Sequence, residues 1–355
     1  MTSRAWVIRG GARWQVDAVE SPLPELGPEQ IVLAVEGAVV SPVDLAVALE
    51  RGADDIDPIP GHAAVGKVIA TGDKARDLLD RRVVVGPHAP CGECDVCRRG
   101  GAVVCPNGAE LGVTARGTLG ERAVAAARWA LPLEGELAVP GVAAALVGGE
   151  AALGYALYAR AGVGPREPTV VLGDNVVARC LVEILVAKGA PPVVVVRSSS
   201  PPAWSAFVES RGAAAVAVDA DAPDAEAHAA ALAALRNRGH GQRPWKVFET
   251  TGEAERQTRA IAIAGPCATV VLAAPGATGH PTRPVDLGDA LDRDVAVLGV
   301  AGAHPDLLVD VAALAVRGEL DLAGAADVVA PGDLAAALTR RHTSRPQTGL
   351  VVAVA

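Results

Sequence analysis

Four cysteines, Cys91, Cys94, Cys97 and Cys105, fall within fifteen residues in the run CGECDVCRRGGAVVC, with intervals of two, two and seven residues. Thiolates are soft ligands that suit tetrahedral zinc, and four of them leave no open coordination position for water or substrate. The expected role is structural: about one zinc per chain, pinning a loop that has little else to hold it. The alternative is four free or redox-active thiols. The other two cysteines, Cys180 and Cys267, stand alone and read as buried small hydrophobes. Thiols gathered in this way point to a reducing compartment, where metal binding is favoured over disulfides.

The 355 residues leave room for two domains. Half of them are hydrophobic but only 3% are aromatic, so the core must be built from small aliphatic side chains. With 32 Lys and Arg against 41 Asp and Glu, the net charge is −9. No basic cluster is long enough to track a phosphate backbone, so nucleic acid is not an expected partner and a small molecule is. The opening MTSRAWVIRGGARW has no apolar core flanked by a cleavage site. The apolar stretch 137–163 is broken by Pro140, Gly148, Gly149, Glu150 and Arg160, and reads as buried helices rather than a membrane span. No membrane is expected, and the location expected is the cytoplasm.

Residues 1–140 carry short Val/Ile runs separated by Gly and Pro, such as QIVLAVEGAVV, GKVIATG and DRRVVVGP, the pattern of an all-β domain. From 141 to 301 the character changes. Apolar runs at 169–173, 192–197, 214–220, 245–251, 268–274 and 295–301 alternate with Ala-rich segments of helical length. Continuous apolar strands separated by helices predict a parallel sheet covered on both faces, a doubly wound nucleotide-binding fold. The helix LVEILVAK is expected to stop at the Gly after Lys188. Residues 302–355 hold one more helix (PDLLVDVAALAVRG), a short strand DVV and a last strand GLVVAVA, expected to return to the β domain. The fold class is thus α/β.

The cysteine segment resembles the structural-zinc lobe of the zinc-type alcohol dehydrogenase branch of the medium-chain dehydrogenase/reductase superfamily. GHAAVGKVIATGD (61–73), VFETTG (247–252), VRGELDL (316–322) and GLVVAV (349–354) resemble other segments of that branch. WKVFETTG with Gln257 faintly resembles the 6-hydroxycyclohex-1-ene-1-carbonyl-CoA dehydrogenases. The resemblance implies a GroES-like catalytic domain (1–140 and 302–355), a Rossmann domain (141–301), an active site in the cleft between them, and pairing into a homodimer or homotetramer through the strand VAVLGVA.

The departures from the family pattern are as informative. Where the family's catalytic zinc takes a Cys, this chain has Ser41; the His is kept as His62, but the Glu after it is Ala63; the third ligand position falls at Gly149 or Glu150. A neutral hydroxyl is a poor zinc ligand. The family's relay groups are replaced by Val43 and Ala46, while Asp44 remains, as a structural acceptor or a base. The candidate catalytic residues are therefore Ser41, Asp44, His62 and Glu150, with Tyr155 a further possible proton donor; for His62 the other reading is a hydrogen-bonded core histidine. The phosphate loop, G-x-G-x-x-G in the family, reads Gly173-Asp174-Asn175-Val176-Val177-Ala178. Asn175 stands where only glycine minimises a clash with a pyrophosphate, and Asp174 adds negative charge beside it. At the end of the second strand Arg197 and Ser198 stand where an acid would bind the ribose of NAD, a substitution that suits the 2′-phosphate of NADP(H); the other reading of Arg197 is a solvated strand end.

Three functions follow. The first is NADP(H)-dependent hydride transfer without catalytic zinc, reducing an activated C=C or a carbonyl. The second is a redox-inactive binding or scaffold protein on a retained fold. The third is a zinc alcohol dehydrogenase with Ser41, His62 and Glu150 as atypical ligands.

Overall fold

The computed structural model describes residues 2–10, 13–50, 59–219, 224–241, 243–273, 286–343 and 347–354. The chain divides into two compact units. One comprises Met1–Ala152, Gly302–Ser344 and Thr348–Ala355; the other comprises Leu153–Ala301 and Arg345–Gln347. The first boundary falls at 152/153, inside a helix, rather than at 140/141, because the apolar stretch after Pro140 packs on the strands of the first unit before the helix leaves it.

The first unit begins with β1 (Thr2–Arg9) and β2 (Gln15–Pro22), an antiparallel pair. β3 (Gln30–Val40), α1 (Pro42–Glu50), β4 (Ala63–Thr71) and β5 (Arg82–Val85) follow. β6 (His88–Ala89) and β7 (Ala109–Glu110) pair across the cysteine loop, which holds α2 (Asp95–Arg98). β8 (Arg122–Ala126) and β9 (Ala130–Pro132) come next, and α3 (Glu150–Ala161) crosses into the second unit.

The second unit runs β10 (Thr169–Leu172), α4 (Val176–Ala187), β11 (Val193–Arg197), α5 (Pro202–Ser210), β12 (Ala214–Val218), α6 (Asp224–Asn237), β13 (Lys246–Glu249), α7 (Ala254–Ile263), β14 (Thr269–Ala273), α8 (Gly288–Asp292) and β15 (Ala296–Val300). The chain then returns to the first unit with α9 (Leu308–Val316), α10 (Leu322–Ala325), β16 (Ala326–Val329), α11 (Leu334–Thr343) and β17 (Gly349–Ala353).

The six strands of the second unit are parallel in the order β12-β11-β10-β13-β14-β15. That is the doubly wound order, with its switch point between β10 and β13. Every residue of β10 and β11 is buried, as continuous apolar strands covered on both faces require. The core is valine-rich: Val170, Val193, Val195, Val247 and Val270 pack with Leu172 and Ile261. α4 ends as expected, with Gly189 at φ +74 closing the last turn.

In the first unit a larger sheet runs β16-β17-β3-β4-β5-β9, with β8 also on β3. β3 is long enough to serve three neighbours because it bends at register shifts near Val32 and Val35. Ile31, Leu33, Val68, Val83, Leu119 and Leu338 form its core. The segment Val142–Ala161 is long and apolar enough to cross a membrane, but 72% of it is buried inside the fold. Cys180 is buried as expected, whereas Cys267 is exposed. Cys267 sits at φ 57 in the turn after Gly265 and Pro266, where the chain reverses and its side chain projects outward.

Candidate functional site

The cysteine loop is framed by the two-residue pair β6 and β7, and Trp129 Nε1 donates to the Pro90 carbonyl at 2.9 Å to hold its base. Cys94 caps α2, its sulfur accepting from the Cys97 amide at 3.5 Å. The four sulfurs lie within 4.8 Å of one another, with separations of 3.5 Å (Cys91 to Cys105), 3.7 Å (Cys94 to Cys105) and 4.0 Å (Cys91 to Cys97). A tetrahedron of ~2.3 Å zinc–sulfur bonds has edges of roughly 3.8 Å, so the donor set fits zinc without rearrangement. The amides of Glu93 and Cys94 point at Cys91 and bring its thiol down to about 6, while burial and the neighbouring thiols push Cys97 up to about 12, so it is the converging geometry that marks the four as a donor set. Among the described residues this is the one group of three or more His, Cys, Asp or Glu side chains whose ligand atoms converge in this way.

A second cluster forms at one end of the large sheet. β4 and β17 both run antiparallel to β3, so the end of β3, the start of β4 and the start of β17 share that edge. Ser41 follows β3, His62 precedes β4, and Glu150 packs beside Gly349 at the head of β17. The sequence candidates are thus brought together by strand register.

Within the cluster Asp44 is the hub. Its Oδ2 accepts from the Ser41 amide (2.7 Å) and the Ser41 hydroxyl (3.0 Å), and its Oδ1 accepts from the Gly61 amide (2.6 Å). Burial raises its carboxyl to about 6 against the pull of those three bonds. Asp44 therefore ties α1 to the turn before β4, a structural role first. Gly61 is required in that turn: it sits at φ +111, and a Cβ there would lie 2.5 Å from the Leu119 amide nitrogen.

His62 is held near neutral by burial, which lowers it to about 4 while the Leu111 carbonyl partly opposes. Its Nδ1 is buried with no hydrogen-bond partner. Glu150 is 6% exposed with Oε2 likewise unpartnered, and burial pushes its carboxyl up to about 7. Arg341 works against that rise and Asp44 adds to it. A neutral imidazole and a carboxyl that ionises near 7, each with an unused polar atom, can donate or relay a proton. With Ser41 they do not make a good zinc site, because the Ser41 hydroxyl, which donates a hydrogen bond to Asp44, is neither thiolate nor carboxylate.

Sequence reasoning missed His88. Its ring meets that of His62 edge-on at 6.2 Å between centroids, and burial and His62 together lower it to about 4. The signal was its place just past β5, whose Val85 pairs with Ala64 of β4. Tyr155 lies in the second unit, buried against Tyr158 with the Lys188 ammonium 5.7 Å from its ring centre.

The third place is the turn after β10. Gly173 is forced by its neighbour, since a Cβ would fall on the Thr250 hydroxyl. Asn175 caps α4 by accepting from the Ala178 amide (2.9 Å), and its Nδ2 donates to the Thr250 carbonyl (2.7 Å). Val176 and Val177 turn inward as part of the first helical turn, and both are buried. Asp174 is buried and accepts from the Ser200 hydroxyl at 2.7 Å. Arg197 is not a solvated strand end: it is 9% exposed and paired with Glu253 and Asp174, because the ends of β10, β11 and β13 converge here. Ser198 beside it is exposed, its amide bonded to the Val218 carbonyl. Two buried arginines, Arg197 and Arg256, lie at the switch point, each within ion-pair distance of Asp174 and Glu253. The Asn175 side chain narrows the place of the pyrophosphate.

The alcohol dehydrogenase GroES-like domain family matches residues 27–135. An L-threonine 3-dehydrogenase of Stenotrophomonas maltophilia (strain K279a) is 33% identical over 120 residues, 32% of this chain and 35% of that protein. The chain thus aligns with about a third of the length of the curated relatives it matches. Likeness in fold extends over the whole chain. The alcohol dehydrogenase TADH of Thermus sp. ATN1 superposes with a TM-score of 0.84 at 20% identity, covering 99% of this chain and 100% of that one. A Sinorhizobium meliloti 1021 structure, described as a zinc-binding dehydrogenase bound to NADP, gives 0.82 at 20% identity with both chains fully covered. Residues 27–135 thus match the alcohol dehydrogenase GroES-like domain in sequence, and the whole chain shares its fold with solved alcohol dehydrogenases.

Proposed function

We propose that the protein is an NADP(H)-dependent oxidoreductase that works on a small carbonyl or conjugated alkene without zinc at the reacting oxygen. Cys91, Cys94, Cys97 and Cys105 hold one structural zinc. The observation that carries the reading is the pair of buried side chains His62 and Glu150, each with one polar atom that has no hydrogen-bond partner and each shifted by burial toward its uncharged form. Support for the cofactor comes from Arg197 and Ser198 at the end of β11 and from the NADP of the Sinorhizobium neighbour.

Bound NADPH would supply the hydride. The chain's own residues supply the proton. With a conjugated alkene, the cofactor's hydride would go to the β carbon, and one proton from the protein would complete the reduction at the α carbon. Glu150 holds such a proton near neutral pH, Asp44 and Ser41 fix the turn beside it, and burial excludes water. Cytoplasmic residence and pairing of the exposed edge strand β15 into a dimer belong to the same proposal.

Calorimetric titration with NADPH, followed by an absorbance assay with enones and aldehydes, tests it. Micromolar binding and turnover are expected; no binding at millimolar NADPH sinks the reading. A second reading, a redox-silent binding protein, is favoured by one observation: the Asn175 side chain already occupies a helix-start amide. Turnover with any carbonyl or alcohol eliminates it.

A further inference from the structure

His62 and the cysteine lobe share their supports. The lobe departs at β6 and returns at β7, where His88 faces Glu110 and Ala89 faces Ala109. One more bond lengthens this stem, from the Leu111 amide to the Pro87 carbonyl at 2.9 Å. His62 meets both ends of it. Its ring stands edge-on to the His88 ring, with 6.2 Å between centroids and 81° between planes. It also donates a hydrogen bond to the Leu111 carbonyl, and because Nδ1 has no partner the donor is Nε2. In a neutral imidazole that bond fixes the tautomer: Nε2 keeps the proton and Nδ1 presents a lone pair.

The stem is weak on its own. Two-residue strands make few ladder bonds, and the loop they close has little core: α2 buries none of its residues, and Val104 is exposed. What converges inside the loop is the set of four sulfurs. In a segment built this way, metal binding supplies the ordering free energy. The ligands are tied to both strands. Cys91 follows His88 by three residues, and its amide donates to Cys105 Sγ at 3.5 Å. The Gly108 amide donates to the Cys105 carbonyl at 3.1 Å, and a Cβ on Gly108 would lie 3.1 Å from the Ala89 carbonyl oxygen. Gly302 completes the seat of His88, since a Cβ there would fall on His88 Nε2.

We infer that the zinc lobe is the positioning device of His62: the metal closes the stem, and the stem holds the Leu111 carbonyl and the His88 ring that keep Nδ1 of His62 a bare acceptor. His88 is thereby a positioning residue, acting through His62. The ion that takes no part in the reaction decides which nitrogen the site offers. The inference rests on the oxidoreductase reading only for the use made of that nitrogen.

The test uses the full chain labelled with 15N-histidine, zinc-loaded and after zinc removal by a strong chelator, with metal content and deuterium uptake measured alongside. His62 signals are assigned by their loss in His62→Gln. The zinc-loaded protein is expected to show one bare and one protonated nitrogen, and zinc removal is expected to merge them into the averaged signal of a freely exchanging ring. His88→Ala keeps all four cysteines, so it should retain about one zinc and still show the averaging. His88→Phe, which returns a ring to the edge-on contact, should restore the two separate signals. Unchanged His62 signals after zinc removal or in His88→Ala overturn the inference, as does a failure of His88→Phe to rescue. Should zinc removal also raise uptake in β4, the large sheet has opened, and the two His88 variants decide alone. NADPH titrated into the same samples keeps the two readings apart: a zinc-dependent His62 in a protein that binds no NADPH leaves the positioning standing and removes the oxidoreductase reading.

Discussion

At the scale of single residues, Glu150 sets a pH dependence. Its carboxyl ionises near 7 in the folded chain against 4.5 when free. Between these values the unfolded chain loses a proton that the folded chain keeps, so stability falls as pH rises from about 4.5 to about 7 and is level outside that window. At about 1.4 kcal/mol per unit the loss is roughly 3 kcal/mol. Glu150→Gln should remove it, making the variant more stable than the parent at pH 8 by roughly that amount more than at pH 4. Urea unfolding at the two pH values reads this directly, and an equal difference at both would show that Glu150 ionises freely. Glu150 and His62 could be named from sequence because the family pattern marks their positions. Their neutrality could not, since it depends on burial by β17 and β5, far away in the chain. Arg197 shows the same limit: its partner Glu253 is 56 residues distant.

At the scale of elements, two segments make separable predictions. In the turn after β10, Gly173→Ala drives a methyl into the Thr250 hydroxyl and should cost about 1–3 kcal/mol, as overpacking does. In a Thr250→Ala background most of that cost should vanish, so a double-mutant cycle by thermal melting gives a clear coupling; additive losses would mean that the turn simply moves. In the cysteine loop, Cys97→Ser should lower zinc affinity more than tenfold, read as metal content after dialysis, since three thiolates leave the tetrahedron open. The strands of β10–β15 could be read from sequence to within a residue or two because most are apolar runs, and even β13, Lys246–Glu249, holds the apolar pair Val247 and Phe248 between its charged ends. β6 and β7 could not: two-residue strands have no periodicity, and only the metal loop they bracket gives them a reason to pair.

At the scale of the molecule, each unit holds a hydrophobic cluster of its own. Stripping zinc with a strong chelator should therefore raise deuterium uptake around residues 88–111 and leave 169–219 unchanged; uptake rising equally in both would mean that the units share one cooperative fold. The order of the chain has a further consequence. β17, residues 349–353, lies inside the large sheet between β16 and β3, whereas the six strands of the second unit are all complete by residue 300. On the ribosome the nucleotide-type sheet can close while the last four residues of β3, Gly37–Val40, still wait on one side for a partner more than three hundred residues downstream. Zinc, whose four ligands emerge together, can load long before that. Of the two units, then, the one that begins earlier is finished later, and the metal gives it a folded foothold through the interval.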